Sequence, residues 1–115
     1  MGAGRSDQKG GLVSVMTDHN VTVAVQVLPL SEAAYEIVDR AIKVIADSGV
    51  KYEVGPMETT MEGQLSRLLE VARAAHESCF EAGAGRVVTI IKIADAVEGS
   101  TIADKVAKHR RLETD

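Results

Sequence analysis

A short hairpin pattern stands in the middle of the chain, between two units that each combine a strand with a helix. Tyr52 and Val54 alternate with polar residues and lead through Gly55-Pro56 into a second extended run that ends near Met61. Proline supplies no ladder donor and biases the residue before it toward extended geometry. The pair therefore predicts a hairpin turn or a break in a strand.

The flanking units have opposite order. The first begins with a strand of alternating valines that Pro29 ends, and Ser31 is the expected N-cap of the helix that follows. Gly49 stands where a left-handed residue would end this helix. The second unit begins with a helix that opens at Gln64, and RVVTIIKIA predicts a strand over Arg86–Ala94.

The resulting order, strand–helix–strand–strand–helix–strand, predicts an α+β ferredoxin-like sandwich. Its four-stranded antiparallel sheet carries both helices on one face. A short C-terminal helix, capped by Ser100 or Thr101, is expected to run to about Arg110. Residues 1–18 are expected to form a flexible N-terminal arm, and residues 19–112 the domain.

The first and the last predicted strands in the sequence are apolar on both faces. The first carries Leu28 opposite its valines, and the last carries Val88 and Ile90 opposite its other apolar residues. A sheet face that helices do not cover should be polar in a monomer. We therefore predict a homo-oligomer formed by sheet packing. In the alternative, the C-terminal helix folds back and covers part of this face through Ile102 and Val106.

Composition excludes several classes of protein. The formal net charge of -4 argues against a nucleic-acid-binding surface, and no apolar run approaches the ~20 residues of a membrane span. The single Cys79 cannot form an internal disulfide, which favours a reducing cytoplasm. The aromatic fraction of 3% predicts a core of Val, Ile, Leu and Ala.

Candidate catalytic and metal-binding groups are sparse. His76 and Cys79 lie three residues apart on one helix, but no third ligand is suitably spaced, so a core pair is favoured over a metal site. Gly83-Ala84-Gly85 follows a helix and precedes a strand, the reverse of a dinucleotide fingerprint. Nothing in the sequence shows that Glu53 and Glu58 converge for acid–base work, and both are expected to be solvated. No catalytic residue, metal or cofactor is predicted.

Two stretches carry a family resemblance. AIKVIADSGVKYEVGPMETTMEG and GRVVTIIKIADAVEGSTIADKVAKHR resemble the small thiamine-binding family of ferredoxin-like proteins from about Thr22 to Arg111. The resemblance implies a dimer or tetramer built through sheet faces. It also implies non-catalytic binding of thiamine or hydroxymethylpyrimidine, as a carrier or sensor, in a pocket at a subunit interface. The sequence departs from the family's pattern at Glu58 and Gln64.

The resemblance also implies roles for individual residues. A carboxylate would accept from the exocyclic amine of the pyrimidine, hydroxyl and amide groups would read its ring nitrogens, and a tyrosine or methionine would pack on the ring. Turn and cap chemistry explains Thr59 and Glu62 equally well. An oligomeric regulatory or scaffold module without small-molecule turnover is the alternative function, and a small enzyme using clustered carboxylates is the least favoured. The implied binding residues are Gln26, Tyr52, Glu53, Met57, Thr59, Thr60 and Glu62.

Overall fold

The computed structural model describes residues 19–99, 101–103 and 106, and confirms the predicted order of elements. The predicted N-terminal arm and most of the predicted C-terminal helix lie outside these residues. The elements are β1 (Val21–Pro29), α1 (Ala34–Asp47), β2 (Lys51–Val54), β3 (Thr59–Gly63), α2 (Leu65–Glu81) and β4 (Val87–Ala94).

The four strands form one antiparallel sheet in the order β2-β3-β1-β4. β1 lies in the interior of the sheet because it pairs with β3 on one side and with β4 on the other. Its pairing with β3 covers only Val21–Val25, whereas its pairing with β4 extends from Thr22 to Pro29. The expected α+β ferredoxin-like sandwich is therefore confirmed. Among residues 19–99, the second half of β1 has a strand on one side alone.

The core lies between the sheet and the two helices. β1 contributes alternate valines, and Ile45 of α1, Met61 of β3 and Leu68 of α2 pack against them. All of these side chains are almost completely buried. Alternation along β1 places the valines on the helix side, and burying that apolar face against the helices supplies the main favourable term in folding.

The ends of α1 agree only partly with expectation. Gly49 follows the helix with φ of 88°, the left-handed conformation predicted for it. The helix itself begins at Ala34, and its N-cap residue Ala33 has no side-chain cap. Ser31 Oγ instead accepts a hydrogen bond from the Ala33 N–H at 3.1 Å. The N-cap prediction was wrong because Ser31 stabilises the turn before the helix.

The sheet face opposite the helices, here called the open face, is covered at one end only. Thr22 and Ala24 are buried on it, and the buried Ile102 lies near the β3 end of this region. Farther along the same face, Leu28, Val88 and Ile90 are 38%, 47% and 43% exposed. No helix in the described part of the chain is both long enough and apolar enough to cross a membrane.

Candidate ligand-binding cavity

A cavity of about 250 Å³ lies between α1 and the sheet, at the point where β1 loses its pairing with β3. One side of α1 gives the cavity an apolar wall. The second half of β1 and the turn between β2 and β3 give the opposite wall. The residues that line it include Val25, Gln26, Val27, Tyr35, Val38, Ile42, Val54, Met57, Glu58 and Thr59.

Thr59 supplies a buried polar group to this cavity. It pairs with Val25 and therefore shares the helix side of the sheet, where only 5% of the residue is exposed. Its hydroxyl makes no hydrogen bond with a described residue. Every fully enclosed side-chain oxygen or nitrogen in the described part of the chain has a partner. The Thr59 hydroxyl must therefore be accessible from the cavity, where a ligand can bond to it.

Three other residues that carry polar or flexible side chains border the cavity. Gln26 contributes from β1, and Met57, which is largely exposed, contributes from the β2–β3 turn. Glu58 is in contact both with this cavity and with a shallower one on the open face. Its carboxylate lies 2.9 Å from Lys92 Nζ, so the negative charge is already paired.

Glu53 and Thr60 lie elsewhere, although the resemblance implied that they share a site with Thr59. They pair with each other across β2 and β3 and line a separate cavity of about 160 Å³ with Ile102 and Val106. This second cavity is on the open face, because neighbouring residues of a strand point to opposite faces. The structure therefore separates Thr59 from Thr60.

Glu62 is held by protein groups. One carboxylate oxygen accepts a hydrogen bond from the Ile102 N–H at 2.9 Å, and the other accepts from Asn20 Nδ2 at 3.2 Å. Lys51 Nζ lies 3.6 Å away, and only 9% of the Glu62 side chain is exposed. Glu62 thus has a structural role, but not the cap chemistry considered from the sequence, because no side chain caps the N-terminus of α2 at Gln64. Tyr52 is partly exposed and lines none of these three cavities.

His76 and Cys79 have ordinary packing partners. His76 Nδ1 lies 2.6 Å from the Thr89 hydroxyl, and the imidazole contacts the Phe80 ring edge to face. Cys79 is buried, and this burial raises the pKa of its thiol, so the reactive thiolate is disfavoured. Among the described residues, no group of three His, Cys, Asp or Glu side chains is placed to hold a metal ion.

Sequence reasoning missed the contribution of α1 to the cavity. Val38 and Ile42 are four residues apart and fit the helical apolar stripe, a pattern that by itself indicates core positions. Val27, which also lines the cavity, was missed too. A possible signal was the unequal length of the strands, since β3 has five residues and β1 has nine.

A family model described as thiamine-binding protein matches residues 23–110. These include every residue that lines the cavity between α1 and the sheet, here called the main cavity. The chain belongs to this thiamine-binding family.

Two relatives match this chain over nearly their full length. A UPF0045 protein of Clostridium perfringens is 50% identical over 90 residues, covering 76% of this chain and 95% of the relative. A UPF0045 protein of Methanothermobacter thermautotrophicus is 33% identical over 91 residues, with coverage of 75% and 92%.

Two solved structures share both sequence and fold with this family member. A domain of unknown function, DUF77, from Bacillus cereus has a TM-score of 0.77 and 44% identity, covering 84% of this chain and 96% of that one. A Thermotoga maritima protein, for which a role in thiamine biosynthesis or salvage has been suggested, has a TM-score of 0.73 and 38% identity. The match covers 79% of this chain and 99% of that one.

Proposed function

We propose that this protein binds thiamine or the related hydroxymethylpyrimidine without turnover, in the cavity between α1 and the sheet. The observation that carries the proposal is the buried residue Thr59, whose hydroxyl has no partner among the described residues, in an otherwise mainly apolar cavity. Small-molecule sites typically combine apolar walls with a few convergent polar groups. Membership of the thiamine-binding family and the role suggested for the Thermotoga maritima protein support this ligand class.

The size of the cavity favours the pyrimidine ring as the part that is enclosed. Its volume of about 250 Å³ is slightly below the range of roughly 300–1,000 Å³ typical of sites for drug-sized ligands. Val38 and Ile42 would pack on the ring, and the Thr59 hydroxyl would bond to its polar edge. The cationic thiazolium of thiamine would then lie toward the exposed Met57.

We also propose that the ligand site adjoins a subunit interface. Gln26 lines the cavity and pairs with Ile90 in the sheet, next to Leu28 and Val88. Leu28, Val88 and Ile90 form the exposed apolar part of the open face. A second copy packed there would reach the cavity beside Gln26, which fits a homo-oligomer whose partner subunit completes the site.

Ligand titration tests the proposed function. Thermal unfolding is measured with rising concentrations of thiamine, of hydroxymethylpyrimidine and of the isolated hydroxyethylthiazole moiety as a matched control. A ligand that binds only the folded state adds about 2.7 kcal/mol of stability at a concentration of 100 Kd. The first two compounds should raise the melting temperature and be recovered chemically intact. If neither does so, the alternative of an oligomeric scaffold or regulatory module is favoured.

A further inference from the structure

A single contact at the end of β1 shows which of the two neighbouring strands each residue of β1 bonds to. The Leu30 N–H donates to the Arg86 carbonyl at 2.9 Å, and this pair continues the β1–β4 register beyond Pro29–Val87. In an antiparallel ladder, alternate residues direct both main-chain groups to the same neighbouring strand. Even-numbered residues of β1 therefore bond to β4, and odd-numbered residues direct their N–H and C=O to the side of β3.

Val27 is the odd-numbered residue beside which the described part of the chain places no strand on that side. The β1–β3 register ends at Val25–Thr59, and the chain before Thr59 turns back through the hydrogen bond from the Gly55 N–H to the Glu58 carbonyl at 2.8 Å. Within the described residues, no backbone group bonds to Val27 on the β3 side. Its N–H and C=O therefore point into the gap that the cavity occupies, and Val27 lines this cavity.

The gap is too short for another strand. The next odd-numbered residue is Pro29, which has no N–H to donate. Val27 alone thus offers a donor and an acceptor there. A peptide strand needs several successive pairs, whereas a planar heterocycle with one donor beside one acceptor needs a single pair. The cavity volume of about 250 Å³ also suits one ring.

We propose that the main chain of Val27 reads the amidine edge of a 4-aminopyrimidine. Its C=O accepts a hydrogen bond from the exocyclic amine, and its N–H donates to the adjacent ring nitrogen. The ligand takes the place that a partner residue would have in a ladder, and Thr59 lies beside it on the helix side. This inference rests on the proposed function and assigns its specificity to a residue whose side chain carries no polar group.

The main-chain assignment has a distinctive consequence. A side-chain amide or hydroxyl can rotate and exchange donor for acceptor, but the polarity of a strand's N–H and C=O is fixed. Val27 must therefore reject a ligand whose amine and ring nitrogen have exchanged roles. In oxythiamine a carbonyl replaces the 4-amino group, and the neighbouring ring nitrogen carries a proton.

Calorimetric titration of the full-length protein with thiamine and with oxythiamine tests the inference. Two mismatched polar contacts in a closed site should weaken oxythiamine binding by at least about a hundredfold. If both compounds bind with equal affinity, the assignment to Val27 is wrong and the proposed function stands. If neither binds, both are wrong.

Amide NMR provides a second test that needs no variant. On addition of hydroxymethylpyrimidine to the uniformly ¹⁵N-labelled protein, the Val27 amide proton should shift downfield as it gains a hydrogen bond. The Leu28 amide, which belongs to the β1–β4 ladder, is the matched control and should shift much less. Saturating ligand that leaves the Val27 amide unchanged would overturn the inference.

Discussion

Thr59 and Thr60 are adjacent identical residues whose side chains have different surroundings. Thr59 is buried on the helix side and lines the main cavity, whereas Thr60 lies on the open face. Thr59→Val keeps the shape of the side chain and removes the hydroxyl. We expect about fivefold weaker binding of hydroxymethylpyrimidine, since one net hydrogen bond is worth roughly 1 kcal/mol. Thr60→Val is the control, and calorimetry is the measurement.

Equal loss in the two threonine variants would show that the helix-side cavity is not the binding site. Weaker ligand binding in Thr60→Val alone would move the site to the open face, where Thr60 lines a cavity with Glu53 and Ile102. The pair therefore locates the ligand by face. Neither substitution changes side-chain volume appreciably, so a general change in packing is controlled.

Single residues also show how far the sequence could predict the site. Gln26, Met57 and Thr59 were implied by the family resemblance, and the structure brings all three to one cavity. Glu62 could not be placed by pattern alone. Its carboxylate is engaged by the Ile102 N–H, which is 40 residues away in sequence, and contacts of that range have no local signature.

At the scale of elements, β3 contacts residues 101–103, here called the C-terminal segment. This contact gives a prediction about stability. Glu62→Ala removes the acceptor for both the Ile102 N–H and Asn20. Because hydrogen bonds to charged groups contribute about 1.5–3 kcal/mol, we expect a loss of this order in the free energy of unfolding. Urea denaturation measures it.

Glu53→Ala is the control for that experiment, because Glu53 is an exposed carboxylate on the same sheet face and makes no hydrogen bond with a described residue. Its expected effect is within about 0.5 kcal/mol. Hydrogen exchange at the Ile102 amide should accelerate in Glu62→Ala only. An unchanged rate there would show that Glu62 does not hold the C-terminal segment.

The order and type of all six elements were predicted, but the residues that each element buries were predicted less well. Alternation and helical spacing identify all six elements because they record which side of each is apolar. In α2, however, helical spacing puts Leu69 and Phe80 on the same stripe as the buried Leu68 and Cys79, yet Leu69 and Phe80 are 38% and 46% exposed. Val71 and Ala75 are buried instead. Their burial depends on how α2 sits on the sheet, which is a tertiary property that helical periodicity does not specify.

At the scale of the whole molecule, the sheet has a partly covered open face and a gap beside β1. The buried Ile102 shows that the folded-back C-terminal segment, considered as the alternative to an oligomer, covers one end. The other end remains apolar and exposed, and it adjoins the cavity at Gln26. The two readings of the sequence are thus compatible, because each concerns a different part of the same face.

The predicted homo-oligomer can be tested with two adjacent isoleucines of β4. Ile90 and Ile91 are 43% and 42% exposed, but Ile90 lies on the open face and Ile91 on the helix side. If the copies pack through their open faces, Ile90→Lys places a charge in the interface and should reduce the mass measured by light scattering to that of a monomer. Ile91→Lys should leave the oligomer intact. The reverse pattern would place the interface on the helix side of β4, and a monomeric parent protein would contradict self-association itself. Because the open face adjoins Gln26, the monomeric variant should also bind hydroxymethylpyrimidine more weakly, which calorimetry at the same protein concentration would detect.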